Sequence, residues 1–176
     1  MVFCFSYGSV LFRMITTRKR VHFGDGFHHC LSNFSAHRIT LNRRKSPTSE
    51  HLYQESKFFN VKDAKMIRLE IREADSPFFA KEIAHENRDR YRPEWMLEIF
   101  KVQVMYEILF IKAIQHKEVR KVLYSTGNKE IVELHPGDRF WAGGHYSDEN
   151  WLGRCWMMVR SQMWNGLCRE FNTKSA

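Results

Sequence analysis

Glu50, Gln54 and Lys57 follow one another at intervals of four and three residues, with Tyr53 beside them. On a helix that spacing puts a carboxylate, an amide and an ammonium on one face. Ser46-Pro47 just upstream reads as an N-cap and first-turn pair, so a helix is predicted over about 47–59. Glu50 then lies near the positive end of the helix dipole, which favours its ionised form. An ionised Glu50 suits an electrostatic stabiliser or a nucleophile better than an acid. A Glu–Gln–Lys stripe is also what a solvated helix face looks like, and spacing alone leaves both readings open.

The second chemically loaded segment is Asp138-Arg139-Phe140-Trp141-Ala142-Gly143-Gly144-His145. Its glycines would let backbone approach a ligand closely, and Trp141 could stack on a base. Loops of this composition also serve as plain turns. Elsewhere the signals are weaker. His28-His29-Cys30 offers adjacent metal donors, but adjacency alone does not define a tetrahedral site. The run Arg43-Arg44-Lys45 reads first as a solvated turn and second as a nucleic-acid contact. No phosphate loop, GxGxxG, GxSxG or HExxH is present, so no metal or organic cofactor is expected.

The elements that would position these residues form an α+β pattern, predominantly helical, with a few short strands. Arg20–Phe23 reads as a strand turning at Gly24-Asp25-Gly26, and Arg38–Asn42 as a second strand turning at Arg43–Lys45. Ala64, Ile67, Ile71 and Ala74 mark a helix, and Ser76-Pro77 starts another through Phe79 and Ile83. The longest helix is predicted from Pro93 to His116, with Trp95 and Tyr106 on its apolar stripe, followed by one over Lys117–Thr126 that stops at Gly127. Glu130–Leu134 is a predicted strand, His135–Asp138 a turn, and a last helix begins at Trp151.

With 176 residues the chain fits one domain, and 43% hydrophobic against 27% charged residues exclude wholesale disorder. Fourteen Phe, six Tyr and five Trp supply both core and platforms for flat ligands. A net charge of +8 points to an anionic partner such as phosphate or nucleic acid. Cys4, Cys30, Cys155 and Cys168 lie far apart without a CxxC pair, which fits reduced thiols in a cytoplasmic protein. The apolar stretch Met1–Phe12 is too short and too interrupted to span a membrane. Arg13, Arg18, Lys19 and Arg20 make residues 1–20 a basic lead-in, read as disordered or as a weak organellar transit peptide. Residues 21–170 would form the domain and 171–176 a tail.

An ordered set of segments resembles the NADAR family from about Val21 to Met163. It runs through Leu31-Ser32-Asn33-Phe34, then Pro47-Thr48-Ser49-Glu50-His51-Leu52-Tyr53-Gln54 and Lys57-Phe58. Ser76-Pro77, Ala80, Trp95, Val104-Met105, Lys112, Gln115-His116 and Leu123 follow. It closes with Val132-Glu133, Asp138, Trp141, Gly143-Gly144-His145, Asn150, Leu152-Gly153, Met158 and Arg160. The chain departs from the family at His28-His29-Cys30, where an aromatic-Gly pair is usual, at Ser46 and at Ala142.

The resemblance implies a small, mostly helical α+β fold and N-glycosidase activity. Some members hydrolyse the bond between ribose 5-phosphate and the heterocycle of early riboflavin-pathway intermediates. Others remove ADP-ribose from modified guanine in nucleic acid. It also implies that Glu50, Trp95 and Asp138 occupy functional positions, with Glu50 and Asp138 catalytic. Trp95 and Trp141 would enclose the heterocycle, and Asn33, Gln54, His145 and Asn150 would line the pocket. Lys57 and Arg160 would contact phosphate. Three functions are therefore carried forward: a glycosidase on a ribosyl phosphate, an ADP-ribosyl hydrolase on nucleic acid, and a non-catalytic basic module that grips nucleic acid.

Overall fold

The computed structural model describes residues 19–24, 29–145 and 148–173, with side chains described to 166. The basic lead-in as far as residue 18, the turn at Asp25-Gly26 and His28 therefore lie outside the described residues. The order of elements is β1 (Arg20–Phe23), β2 (Ile39–Leu41), β3 (Arg44–Ser46), α1 (Ser49–Ser56), α2 (Lys65–Glu73), α3 (Pro77–Glu86), α4 (Glu98–Gln115), α5 (Lys117–Ser125), β4 (Glu130–Glu133) and α6 (Trp151–Thr173). The mostly helical α+β architecture expected from the sequence is what forms. Among the described residues no helix is long and apolar enough to cross a membrane.

The strands make two small ribbons. β1 runs parallel to β4 with Val21 opposite Ile131, and β2 pairs antiparallel with β3, Ile39 opposite Ser46. The turn between β2 and β3 is Asn42-Arg43, both with positive φ (50° and 65°), as a two-residue hairpin requires. Arg44 and Lys45 are thus strand residues and not part of the turn. Ser46 ends that strand instead of capping a helix, so the cap of α1 passes to Thr48, whose hydroxyl accepts from the His51 amide. The Ser76 cap and Pro77 start of α3 form as expected.

Pro93–Met96 is a 3-10 turn, and Leu97 is extended, so α4 begins only at Glu98. The last helix, at 23 residues, is longer than α4 at 18. The main core gathers Leu52, Trp95, Met105, Leu109, Leu123, Ile131, Leu152 and Trp156 between α4, α6 and β4. A second core of Phe58, Ala64, Ile67, Ile71, Ala80 and Ala84 lies under α2 and α3. Helix α1 is wedged between the two, and all eight of its residues are buried. That placement excludes the solvated-face reading of Glu50 and Gln54.

Candidate active site

Helix α1 is locked at its first turn before it presents anything. Thr48 Oγ1 accepts from the His51 amide and lies 2.8 Å from His51 Nδ1, while His51 Nε2 lies 3.0 Å from the Ala74 carbonyl. The carbonyl can only accept, so Nε2 carries the hydrogen and Nδ1 accepts from the threonine hydroxyl. Burial lowers the His51 pKa and keeps the ring neutral, as that arrangement needs.

A second clamp fixes the loop that faces Glu50. Trp156 Nε1 donates to the Leu31 carbonyl at 2.8 Å. The fully buried Lys112 donates to Ser32 O at 2.8 Å and Ser35 Oγ at 2.7 Å. Burial pulls the Lys112 pKa down to about 7. The pinned loop presents the Asn33 carbonyl to the Glu50 amide at 3.1 Å.

Around Glu50 the polar groups are left short. Its Oε1 accepts from Gln54 Nε2 at 2.6 Å. Burial pushes the carboxyl pKa up, against the Gln54 hydrogen bond and the Lys57 and Lys81 charges that draw it down; Asp138 adds to the rise. Desolvation therefore outweighs the helix-end position that favoured the ionised form. Asn33 Oδ1, Ser49 Oγ and Gln54 Oε1 are buried without a hydrogen-bond partner among the described residues. All three belong to Glu50's chain neighbour or to residues bonded to it. Buried polar atoms are nearly always paired, so orphans on Gln54, which bonds the carboxylate, on Asn33, whose carbonyl meets the Glu50 amide, and on the adjacent Ser49 are a departure that a bound ligand would explain.

Aromatic rings wall this place. Tyr53 lies 5.1 Å from Trp95 and 5.5 Å from Trp141, centroid to centroid. Trp95 is both core and wall, being buried and packed on Phe100 as well. Lys57 Nζ reaches Tyr91 Oη at 3.3 Å and lies within 5.8 Å of the Tyr53, Tyr91 and Trp95 rings. Its burial lowers the ammonium pKa to about 8.

The loop after β4 closes the far side. Asp138 Oδ1 accepts from the Trp141 amide at 2.8 Å, which fixes Trp141 relative to the carboxylate. Gly143 donates to the Glu133 carbonyl at 2.8 Å, and a side chain there would meet Asn150 Cβ at 2.9 Å. Gly143 thus lets the loop approach β4 and Asn150, a packing role. Gly153 is tighter still, since a Cβ there would stand 2.0 Å from the Ile131 carbonyl.

Asn150 clamps the same strand, accepting from the Glu133 amide at 3.2 Å and donating to Ile131 O at 2.9 Å. Both ends of its amide are engaged by backbone. Arg160 is buried and donates to Thr126 Oγ1 at 2.5 Å and Lys129 O at 3.0 Å, at the junction of α5 and β4. His145 is exposed, with its amide on Asp148 Oδ2. The structure thus groups Glu50, Gln54, Asn33, Lys57, Trp95, Trp141 and Asp138, and gives Asn150 and Arg160 scaffold contacts.

Glu133 lies in the resembling segment Val132-Glu133, but the sequence gives it no role. Burial, with Asp138 and Glu50 nearby, pushes its pKa up to about 8. Alternation along β4 gives no signal for it, because Ile131 and Val132, of opposite parity, are both buried.

Comparison with known proteins gives this geometry a context. Residues 22–164 match the NADAR domain. The N-glycosidase Npun_R5314 of Nostoc punctiforme is 36% identical over 137 residues, 77% of this chain and 86% of that protein. The N-glycosidase YbiA of Escherichia coli is 37% identical over 133 residues, 75% and 79% of the two chains. The solved NMR structure of YbiA superposes with a TM-score of 0.75 at 32% identity, covering 86% of this chain and 88% of that one. The chloroplastic riboflavin biosynthesis protein PYRR of Zea mays is 35% identical over 144 residues, 75% of this chain but 23% of that longer protein. The chain belongs to the NADAR domain family.

Proposed function

We propose that this chain is an N-glycosidase that hydrolyses the bond between a (phospho)ribosyl group and a nitrogen heterocycle, of the kind found in early riboflavin-pathway intermediates. The observation that carries the reading is buried Glu50 with its partner Gln54, whose Oε1 is left without a hydrogen bond that a ribose hydroxyl would supply. The names of the similar proteins, N-glycosidase and riboflavin biosynthesis protein, support the reaction class and the substrate class in turn.

The reaction breaks the C1–N bond and adds water across it. Positive charge grows on the sugar as the heterocycle departs, and a buried carboxylate stabilises that charge more strongly than water would. Glu50 fills this role. Asp138 orients the attacking water or the ribose hydroxyls and takes up the proton that water loses. Glu133, neutral through most of the physiological range, gives a proton to the departing nitrogen. Tyr53, Trp95 and Trp141 enclose the heterocycle and exclude solvent. Lys57 and the nearby Lys81 meet the phosphate, while Asn150 holds Glu133 in place through its backbone.

A second reading, removal of ADP-ribose from modified guanine in nucleic acid, is favoured by the exposed cations Lys81 and Arg139 and by the +8 net charge. The non-catalytic module gives way, since the similar curated proteins bear enzyme names. The test is to incubate the purified chain with an N-ribosyl 5-phosphate intermediate and, separately, with ADP-ribosylated guanine in an oligonucleotide. Chromatography with mass detection should find ribose 5-phosphate in the first. ADP-ribose alone would transfer the function to the second reading, and neither product from folded protein would contradict both.

A further inference from the structure

On the side of α1 turned away from Glu50, two cavities of about 300 and 350 Å³ open beside each other. They share Leu41, Leu52, Phe59 and Arg92 and so form one groove. Leu52, Glu55 and Ser56 lie roughly opposite Glu50, Tyr53, Gln54 and Lys57 at about 100° per residue. The groove is therefore separate from the pocket assigned to glycoside hydrolysis.

Its two ends differ in chemistry. One is walled by Phe100, Val104, Ile108 and Ile111, with Gln103 and Glu107 at the margin. The other is lined by Arg44, Arg68 and Arg92 against the single acid Glu55. Two of these guanidiniums lie against rings: Arg68 is 4.6 Å from the centre of Phe59, and Arg92 is 4.7 Å from the centre of Phe100. They present flat, cationic surfaces at the middle of the groove. Arg68 is tied to Glu55 and Arg92 to Glu94. Arg44, exposed on β3, makes no ion pair or side-chain hydrogen bond with a described residue.

We infer that this groove is a binding site for a small aromatic anion. The flat body lies between Phe59, Phe100 and the aliphatic wall, and one sulfonate, phosphate or carboxylate meets Arg44. Each cavity by itself reaches the range of small-ligand sites, and an apolar wall with few polar groups at one end is their usual composition. The inference stands on the groove alone and holds whatever bond the Glu50 pocket cleaves.

The test titrates the full methyl-labelled chain with 8-anilinonaphthalene-1-sulfonate, followed by NMR. The expected result is saturable shifts at the methyls of Leu41, Val104 and Ile111. Val104→Trp, which fills the apolar end, should weaken binding at least tenfold. Arg44→Ala should weaken it about fivefold, the effect of one exposed charge contact. The uncharged N-phenyl-1-naphthylamine should be indifferent to Arg44→Ala. Arg44 is exposed, so its variant keeps the test open if Val104→Trp fails to fold. Shifts that never saturate, shifts confined to the Trp95–Trp141 wall, or unchanged affinity in Arg44→Ala would overturn the assignment.

Discussion

Glu50 and Glu55 stand on the same eight-residue helix and are both buried, with 7% and 1% of their surface exposed. Glu55 is fully served: Arg68 donates to Oε1 through two nitrogens at 3.2 and 3.3 Å, and Arg72 grips both oxygens. Glu50 receives one amide from Gln54, whose own Oε1 has no hydrogen-bond partner among the described residues. A buried carboxylate whose lone pairs are met by the protein ties elements together, here α1 to α2. One whose surroundings are left incomplete costs stability and is kept for what enters. The same residue type, five positions apart, thus separates architecture from chemistry.

The largest expected effect lies on the Glu50 side. Glu50→Gln should lower the rate constant for bond cleavage about 10³-fold, roughly 4 kcal/mol, while leaving the denaturation midpoint equal or higher. A variant that lost stability in proportion to rate would erase the contrast. On the other side, Glu55→Ala should lose about 3 kcal/mol in urea denaturation, because two arginines are left without their acid. Its turnover per folded molecule should stay within a few-fold of wild type. A collapse of turnover in the folded fraction would show that the two carboxylates are not separable.

Glu133 sharpens the contrast through pH. Its carboxyl binds a proton more tightly when folded, at about 8 against an ordinary 4.5. The folded state therefore holds the extra proton, and stability falls as pH rises from about 4.5 to about 8 and is level above. Glu133→Gln removes this dependence, so its advantage over wild type should grow by several kcal/mol, at most about 5, across that range, read by thermal melts in matched buffers. Cleavage by the wild type should also decline above about pH 8. A melting difference that is flat with pH would place Glu133 outside the buried carboxylate group.

The smallest effect concerns the scaffold. Asn150→Ala removes two backbone clamps on β4 and should cost about 1–2 kcal/mol in denaturant unfolding. Turnover should fall with KM little changed, since Asn150 acts through Glu133. A rise in KM alone would make Asn150 a substrate contact.

Much of this was legible from the sequence, for identifiable reasons. Local signals sufficed where one segment carries its own instructions, as in the Ser76 cap with Pro77 or the alternation of β1. The resemblance gathered Glu50, Trp95, Trp141 and Asp138, and the structure brings them around one place. Local signals failed where a distant partner decides. Ser46-Pro47 has helix-start chemistry, but pairing of β3 with β2 claims Ser46 and hands the cap to Thr48. Pro93 begins a turn that ends at Leu97 because Trp95 must dip into the core there. The stripe on α1 reads as a solvated face because the helix is covered by two cores assembled from residues far along the chain. Asn150 and Arg160 sit within the shared motif, yet Asn150 engages backbone of β4 and Arg160 engages Thr126 and Lys129 between α5 and β4, contacts that no spacing rule reveals.

The central claim, that the Glu50 pocket cleaves an N-glycosidic bond, is tested most directly by product stoichiometry. An N-ribosyl 5-phosphate heterocycle is incubated with wild type and with Glu50→Gln at equal folded concentration, and both products are quantified over time. Equimolar ribose 5-phosphate and free heterocycle from the wild type, with about 10³-fold slower release from Glu50→Gln, is the expected result. Equal release from the two proteins would contradict it.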